Sequence, residues 1–143
     1  MRRMILVLMS FWALGQQAYG QELVSSAPEG AAVYFIEPAD GAVVGSPFTV
    51  KFGLSGMGVA PAGVDVTNTG HHHLLIDVNE SDIDFTKPLP ASDQVRHFGG
   101  GQTETSVTLA PGTHRLRLVL GNYLHVPHNP PVMSPEITIT VAE

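Results

Sequence analysis

The chain has 143 residues, no cysteine and a formal net charge of −6 at pH 7. An acidic chain is a poor partner for nucleic acid and anionic lipid, whereas it attracts cations. The lack of cysteine excludes a disulfide framework, a lipid-modified cysteine anchor and thiolate ligands for a metal.

The first 20 residues have the layout of a secretory signal. Two arginines near the start precede an apolar run from Met4 to Leu14, and small residues follow at Ala18 and Gly20. The run is well short of the roughly 20 residues that a membrane-spanning helix needs. We therefore predict a signal peptide over residues 1–20, export of the protein, and no membrane insertion after cleavage.

The remainder of the chain has the length of one domain. We predict a flexible N-terminal segment at 21–30 and a folded domain at 31–143. After cleavage the chain retains five Lys and Arg against thirteen Asp and Glu, so its net charge is about −8. The arguments from an acidic surface therefore apply to the mature protein as well.

Apolar and polar residues alternate along this domain with the two-residue period of half-buried strands. Turn signals such as Pro-Ala-Asp-Gly at 38–41 and Pro-Gly at 111–112 separate the alternating segments. No segment has a helical period. The pattern predicts an all-β fold, an immunoglobulin-like antiparallel β-sandwich of about seven strands. Strands are expected at 31–37, 48–54, 71–78, 103–109, 113–121 and 134–142, with a loose stretch in place of the fourth strand.

The segment LAPGTHRLRL, residues 109–118, resembles the corner between strands E and F of immunoglobulin-like domains. A tyrosine normally closes that corner by hydrogen-bonding back to the upstream backbone. His114 occupies the equivalent place here, with the same parity as the inward-facing Leu116 and Leu118. We therefore predict a structural role for His114.

The predicted topology brings six of the seven histidines to one end of the sandwich. His71, His72 and His73 open the third predicted strand at that end, and His125 and His128 lie in the loop before the last strand. The link after the third strand must return to the same end, which brings His97 there. Parity along the strand places His72 inward with Leu74 and Ile76, and His71 and His73 on the opposite face.

Clustered imidazoles without thiolates suit copper, with zinc or nickel as further possibilities, and Met57 and Met133 could add thioethers. We predict a metal site, most simply a copper site, in which His71 and His73 are completed by neighbouring histidines. The predicted ligands are His71, His73, His97, His125 and His128.

A second interpretation makes these histidines an internal hydrogen-bonded network in a structural or protein-interaction module of the cell envelope. Histidines at strand ends often bond to loop carbonyls, and the two methionines could fill gaps under the loops. No nucleophile motif such as G-x-S-x-G is present, so the protein is not expected to be an enzyme.

Four motifs in their order resemble a family of small exported bacterial domains classed as a domain of unknown function. These motifs are GHHHLLID (70–77), HFGGGQTE (97–104), PGTHRLRLVLG (111–121) and HVPHNPPVMS (125–134). The resemblance implies a periplasmic or secreted bacterial β-sandwich and supports treating the five predicted ligands as one group. It implies no activity. A looser similarity exists to exported copper-handling β-sandwiches, at the level of the fold alone.

Overall fold

The computed structural model describes residues 23–143, which form a β-sandwich of a three-stranded and a six-stranded sheet. The predicted all-β, immunoglobulin-like sandwich is confirmed. The strands are β1 (Ala32–Glu37), β2 (Val43–Val44), β3 (Phe48–Ser55), β4 (Gly58–Val59), β5 (Thr69–Ile76), β6 (Val95–His97), β7 (Glu104–Val107), β8 (Gly112–Gly121) and β9 (Ile137–Val141).

The three-stranded sheet has the order β1-β3-β7, and the larger sheet has the order β2-β9-β8-β5-β4 with β6 also paired to β5. The third predicted strand lies beside the strand after the corner, because β5 and β8 are antiparallel neighbours. The short strands β2, β4 and β6 were not predicted. Each has only two or three residues, which is too short for an alternating pattern to show.

The main core lies between the two sheets and follows from strand alternation. Val50 and Phe52 of β3 pack there against Leu116, Leu118 and Leu120 of β8. The six-stranded sheet is covered on its outer face as well, where Leu75 and Val119 belong to a second apolar cluster. Strand β5 is therefore buried on both faces, and its outward-facing side chains lie away from water.

The predicted corner histidine closes the corner as a tyrosine would. His114 Nε2–H donates to the carbonyl oxygen of Ala110 at 2.9 Å, and Nδ1–H donates to Asp77 Oδ2 at 2.8 Å. Because both ring nitrogens face acceptors, the charged ring is favoured. The hydrogen bond to Asp77 is the main reason why the pKa of His114 is raised.

The first described residues run beside the loop between β8 and β9. Asn129 N–H donates to the Ser25 carbonyl oxygen at 2.9 Å, and Ala27 N–H donates to the Asn129 carbonyl oxygen at 3.1 Å. The predicted signal peptide and the start of the predicted flexible segment lie outside the described residues. Within residues 23–143, no helix is long and apolar enough to cross a membrane.

Candidate metal centre

Strand β5 places His71 and His73 together on the outer face of the six-stranded sheet. His72 points to the other face, as predicted, and its ring lies 5.1 Å from the ring of Phe52 in the main core. All three side chains are at most 1% exposed. The pair therefore does not lie among open loops at the end of the sandwich. It is buried against the sheet beneath a layer of loops.

The loop after β8 brings His125 over this pair, and Asn122 holds that loop in shape. Asn122 Oδ1 accepts hydrogen bonds from the backbone N–H groups of Leu124 and Val126 at 2.9 and 3.1 Å. His125 has a left-handed backbone with φ of 65°, and its N–H donates to the Asn122 carbonyl oxygen at 2.9 Å. The Asn122 turn thus orients the His125 ring toward β5.

Three imidazole nitrogens converge at this point. His71 Nε2 lies 2.9 Å from His125 Nδ1, and His73 Nε2 lies 3.3 Å from the same atom. One ring nitrogen of each residue lies within 4.8 Å of the other two. Nitrogens bound tetrahedrally to one ion lie about 3.3 Å apart. His71, His73 and His125, which we call the histidine group, could therefore hold a metal ion with little rearrangement.

Burial keeps His71 and His73 neutral. Desolvation, followed by repulsion from His125 and His97, lowers the pKa of His71 from 6.5 to about 4. The pKa of His73 falls to about 2, mainly through desolvation and then through its histidine neighbours. Neutral imidazole is the form that coordinates metals. At neutral pH an ion therefore meets no proton competition from these two rings.

The same three residues form a hydrogen-bonded network that is incompletely satisfied. A neutral imidazole has one N–H and one acceptor nitrogen, so His125 Nδ1 bonds well to only one Nε2 at a time. The Nδ1 atoms of His71 and His73 are buried without a hydrogen-bond partner. Each unpaired buried nitrogen costs about 1–3 kcal/mol.

His97 lies beside the histidine group, but not by the route that the sequence suggested. It is the last residue of β6, directly opposite His73 in the pairing of β6 with β5. Its ring stacks on that of His125 at 4.6 Å and meets the edge of the His73 ring at 4.4 Å. Its Nε2 is buried and has no partner. His97 thus contacts two members of the group.

His128 lies outside the converging nitrogens. Its Nδ1 and Nε2 lie 3.3 and 3.2 Å from the carbonyl oxygens of Leu120 and Thr69. The two methionines pack against apolar clusters, Met57 against the main core and Met133 against the outer one. The ligand roles suggested for His97 and His128 remain predictions.

Gly121 makes room for the His73 ring, Gly70 allows β5 to approach the end of β8 closely, and sequence reasoning missed both. A Cβ on Gly121 would lie 2.4 Å from His73 Cε1 and 3.0 Å from its Nδ1. A Cβ on Gly70 would lie 2.6 Å from the Gly121 carbonyl oxygen. The His73 ring therefore lies directly on the backbone of β8. The Gly-Asn pair at the end of that strand was the only available signal.

The family comparison covers all of these residues. The profile of DUF4399, a domain of unknown function, matches residues 50–142, which include the whole histidine group and His97. No curated protein and no solved structure matches the chain. Because the matched region spans more than half of the chain, the protein belongs to the DUF4399 family.

Proposed function

We propose that this protein is an exported, non-enzymatic domain that binds one transition metal ion through His71, His73 and His125. Copper is the ion that we propose. The observation that carries the proposal is the convergence of three ring nitrogens from two separate segments. His125 Nδ1 lies 2.9 Å from His71 Nε2 and 3.3 Å from His73 Nε2, and the rings of His71 and His73 are buried. One ion could accept a lone pair from all three nitrogens at once. In a hydrogen-bonded network, by contrast, His125 Nδ1 bonds well to only one of the other two nitrogens at a time.

The chemistry of the donors favours copper. The group consists of imidazoles alone, a set that suits copper and zinc and does not suit magnesium or calcium. Divalent copper binds nitrogen ligands more tightly than other first-row ions do. The electrostatic cost of burying an ion rises with the square of its charge, so a site without carboxylates also favours monovalent copper over zinc.

His97 is the proposed fourth ligand. Its ring contacts those of His73 and His125, and its buried Nε2 has no other partner. If the His97 ring turned its Nε2 onto the ion, four protein ligands would close the coordination sphere, as in metal sites that hold an ion without turning over a substrate. Such closure would favour a binding role over catalysis. Export is proposed from the signal-like residues 1–20, and fractionation of the producing cell would test it.

Native mass spectrometry tests the metal directly. The protein is purified without a histidine tag, stripped with a chelator, and titrated at pH 7.5 with Cu(I) under reducing conditions, with Cu(II), and with Zn(II). We expect one copper ion per chain, retained against equimolar zinc. Electron paramagnetic resonance of the Cu(II) form should show coupling to imidazole nitrogens.

The double variant His71→Gln/His73→Gln should lose stoichiometric copper. The matched control is His72→Leu, because His72 is equally buried in the same strand but faces the core. That control should still bind one ion. If the unmodified protein binds no ion, the metal proposal is wrong. Binding of zinc with no binding of copper would refute the choice of metal.

The hydrogen bonds among the same rings support a second candidate, a structural envelope module braced by its histidines. This alternative predicts that the double variant melts at a lower temperature and that metal has no effect on either protein. The metal proposal predicts that copper raises the melting temperature of the unmodified protein alone, because an ion that binds only the folded state stabilises it.

A further inference from the structure

The outer face of the six-stranded sheet also carries an apolar cavity of about 360 Å³. Leu75 and Val95 line it on the side of the sheet, and Ile83, Pro88 and Leu89 line it on the opposite side. The second set belongs to the segment that connects β5 and β6. The cavity is therefore a hollow between the sheet and a covering segment of the same chain.

This cavity is separate from the histidine group, although it lies on the same face. Leu75 follows His73 by two residues in β5, and Val95 precedes His97 by two residues in β6, with Leu75 and Val95 directly paired. Two residues along a strand span about 7 Å. None of the described residues that line the cavity is a histidine. Because most of the lining residues are apolar, the occupant must be recognised mainly by apolar contact.

The volume and walls set the size of the occupant. A dry apolar cavity of about 150 Å³ holds one benzene molecule. The present cavity, at about 360 Å³, is more than twice as large, which corresponds to two or three rings. A helix about 10 Å across is too wide for a hollow of this size. The dimensions thus favour a small molecule over a helical segment of a protein.

The charges at the mouth set the polarity of the occupant. Asp82, Asp84 and Lys87 provide the charged groups among the lining residues. Lys87 Nζ lies 2.9 Å from Asp84 Oδ2, so these two charges largely offset each other. The carboxylate of Asp82 remains, in a chain whose formal net charge is already −6. A ligand with a negative charge is therefore disfavoured.

We propose that this cavity binds a small apolar molecule of two or three rings that carries no negative charge. The proposal rests on no part of the metal proposal, and its test uses metal-free protein. Two fluorescent probes with the same ring system provide the comparison. N-phenyl-1-naphthylamine is uncharged, and 8-anilino-1-naphthalenesulfonate adds one sulfonate.

We expect the uncharged probe to bind saturably, one per chain, and at least ten times more tightly than the sulfonate. Asp82→Asn should reduce the difference in affinity between the two probes. Val78→Phe and Ile83→Phe place a larger side chain in the cavity from half-buried wall positions. Each should weaken binding of the uncharged probe at least tenfold. Val43→Phe is the matched control, because Val43 is 73% exposed on a short strand. Circular dichroism identifies any variant that fails to fold.

Methyl NMR of the unmodified protein locates the probe without a substitution. Shift changes should centre on Leu75, Ile83 and Leu89. Changes centred on the main core, equal binding by the filled and unfilled variants, or no saturable binding would each overturn the proposal. Dimerisation that disappears in Ile83→Phe would also overturn it, since the cavity would then belong to an interface between two copies.

Discussion

Acidification of the metal-free protein from pH 8 to pH 5.5 is expected to lower its free energy of unfolding by about 3 kcal/mol through His71 and His73. Both residues have depressed pKa values in the folded state, about 4 for His71 and about 2 for His73. At pH values between these folded-state pKa values and the ordinary pKa of 6.5, the two rings are neutral in the folded state and protonated in the unfolded state. The contribution of these two residues to the free energy of unfolding is therefore fully present above pH 6.5 and decreases as the pH falls below 6.5.

The magnitude follows from the linkage between proton binding and folding. Each group contributes about 1.4 kcal/mol per pH unit while only the unfolded chain binds its proton. At pH 5.5 the unfolded imidazoles are about one pH unit below their ordinary pKa, whereas the two buried rings are still neutral. Two groups thus account for about 3 kcal/mol, which is a large part of the stability of a small domain.

Urea denaturation monitored by far-ultraviolet circular dichroism measures the effect at half-unit steps of pH. The variant His71→Gln/His73→Gln provides the reference, because every other titrating group is retained in it. The difference between the two proteins should change by about 3 kcal/mol across the range. A constant difference would show that the two rings are charged or accessible in the folded state, and the electrostatic basis of the metal site would be wrong.

Three further substitutions test the turn beside the site and the His114 corner. Gly121→Ala should weaken metal binding at least tenfold in a metal titration, because the new methyl group would lie 2.4 Å from His73 Cε1. Gly99→Ala is the control, because the atom nearest to its new methyl group would be 3.2 Å away. Asn122→Ala should lower the free energy of unfolding by about 2–4 kcal/mol, measured by urea denaturation, because two backbone N–H groups lose their acceptor. Asp77→Asn removes the carboxylate whose hydrogen bond and charge raise the pKa of His114. That raised pKa stabilises the fold below pH 6.5 and ceases to do so as the pH rises through the folded-state pKa, so melting curves should show a larger loss at pH 6 than at pH 9.

Most of the fold could be predicted because alternation and turn chemistry act locally. The long strands β3, β8 and β9 have a clear two-residue period, β5 is a continuous run that ends in apolar residues, and all four appear near their expected positions. The corner could be predicted because a proline-glycine turn followed by a ring residue fixes the local geometry. Strands β2, β4 and β6 could not be predicted, because pairing with a neighbour defines them rather than their own pattern.

The residues that form the site were predicted more accurately than its location in the fold. Topology and parity correctly brought His71 and His73 together with His125, since β5 and the loop after β8 are neighbours. The burial was missed because it depends on the covering loops, whose packing leaves no periodic signal in the sequence. Gly121 and Asn122 were missed for a related reason: the space for a ring and the shape of a loop become apparent only in three dimensions.

Leu89 joins the two proposed sites and allows them to be separated. Its side chain is 5% exposed and lines the apolar cavity, while its N–H donates to the His125 carbonyl oxygen at 2.9 Å. Leu89→Ala removes the side chain and keeps the N–H. It should lower the free energy of unfolding, measured by urea denaturation, by about 2–5 kcal/mol. It should also weaken binding of the uncharged probe while one copper ion still binds. His125→Ala should no longer bind the ion but should still bind the probe. Simultaneous loss of both ligands in both variants, with folding intact, would mean that the outer face is one site instead of two.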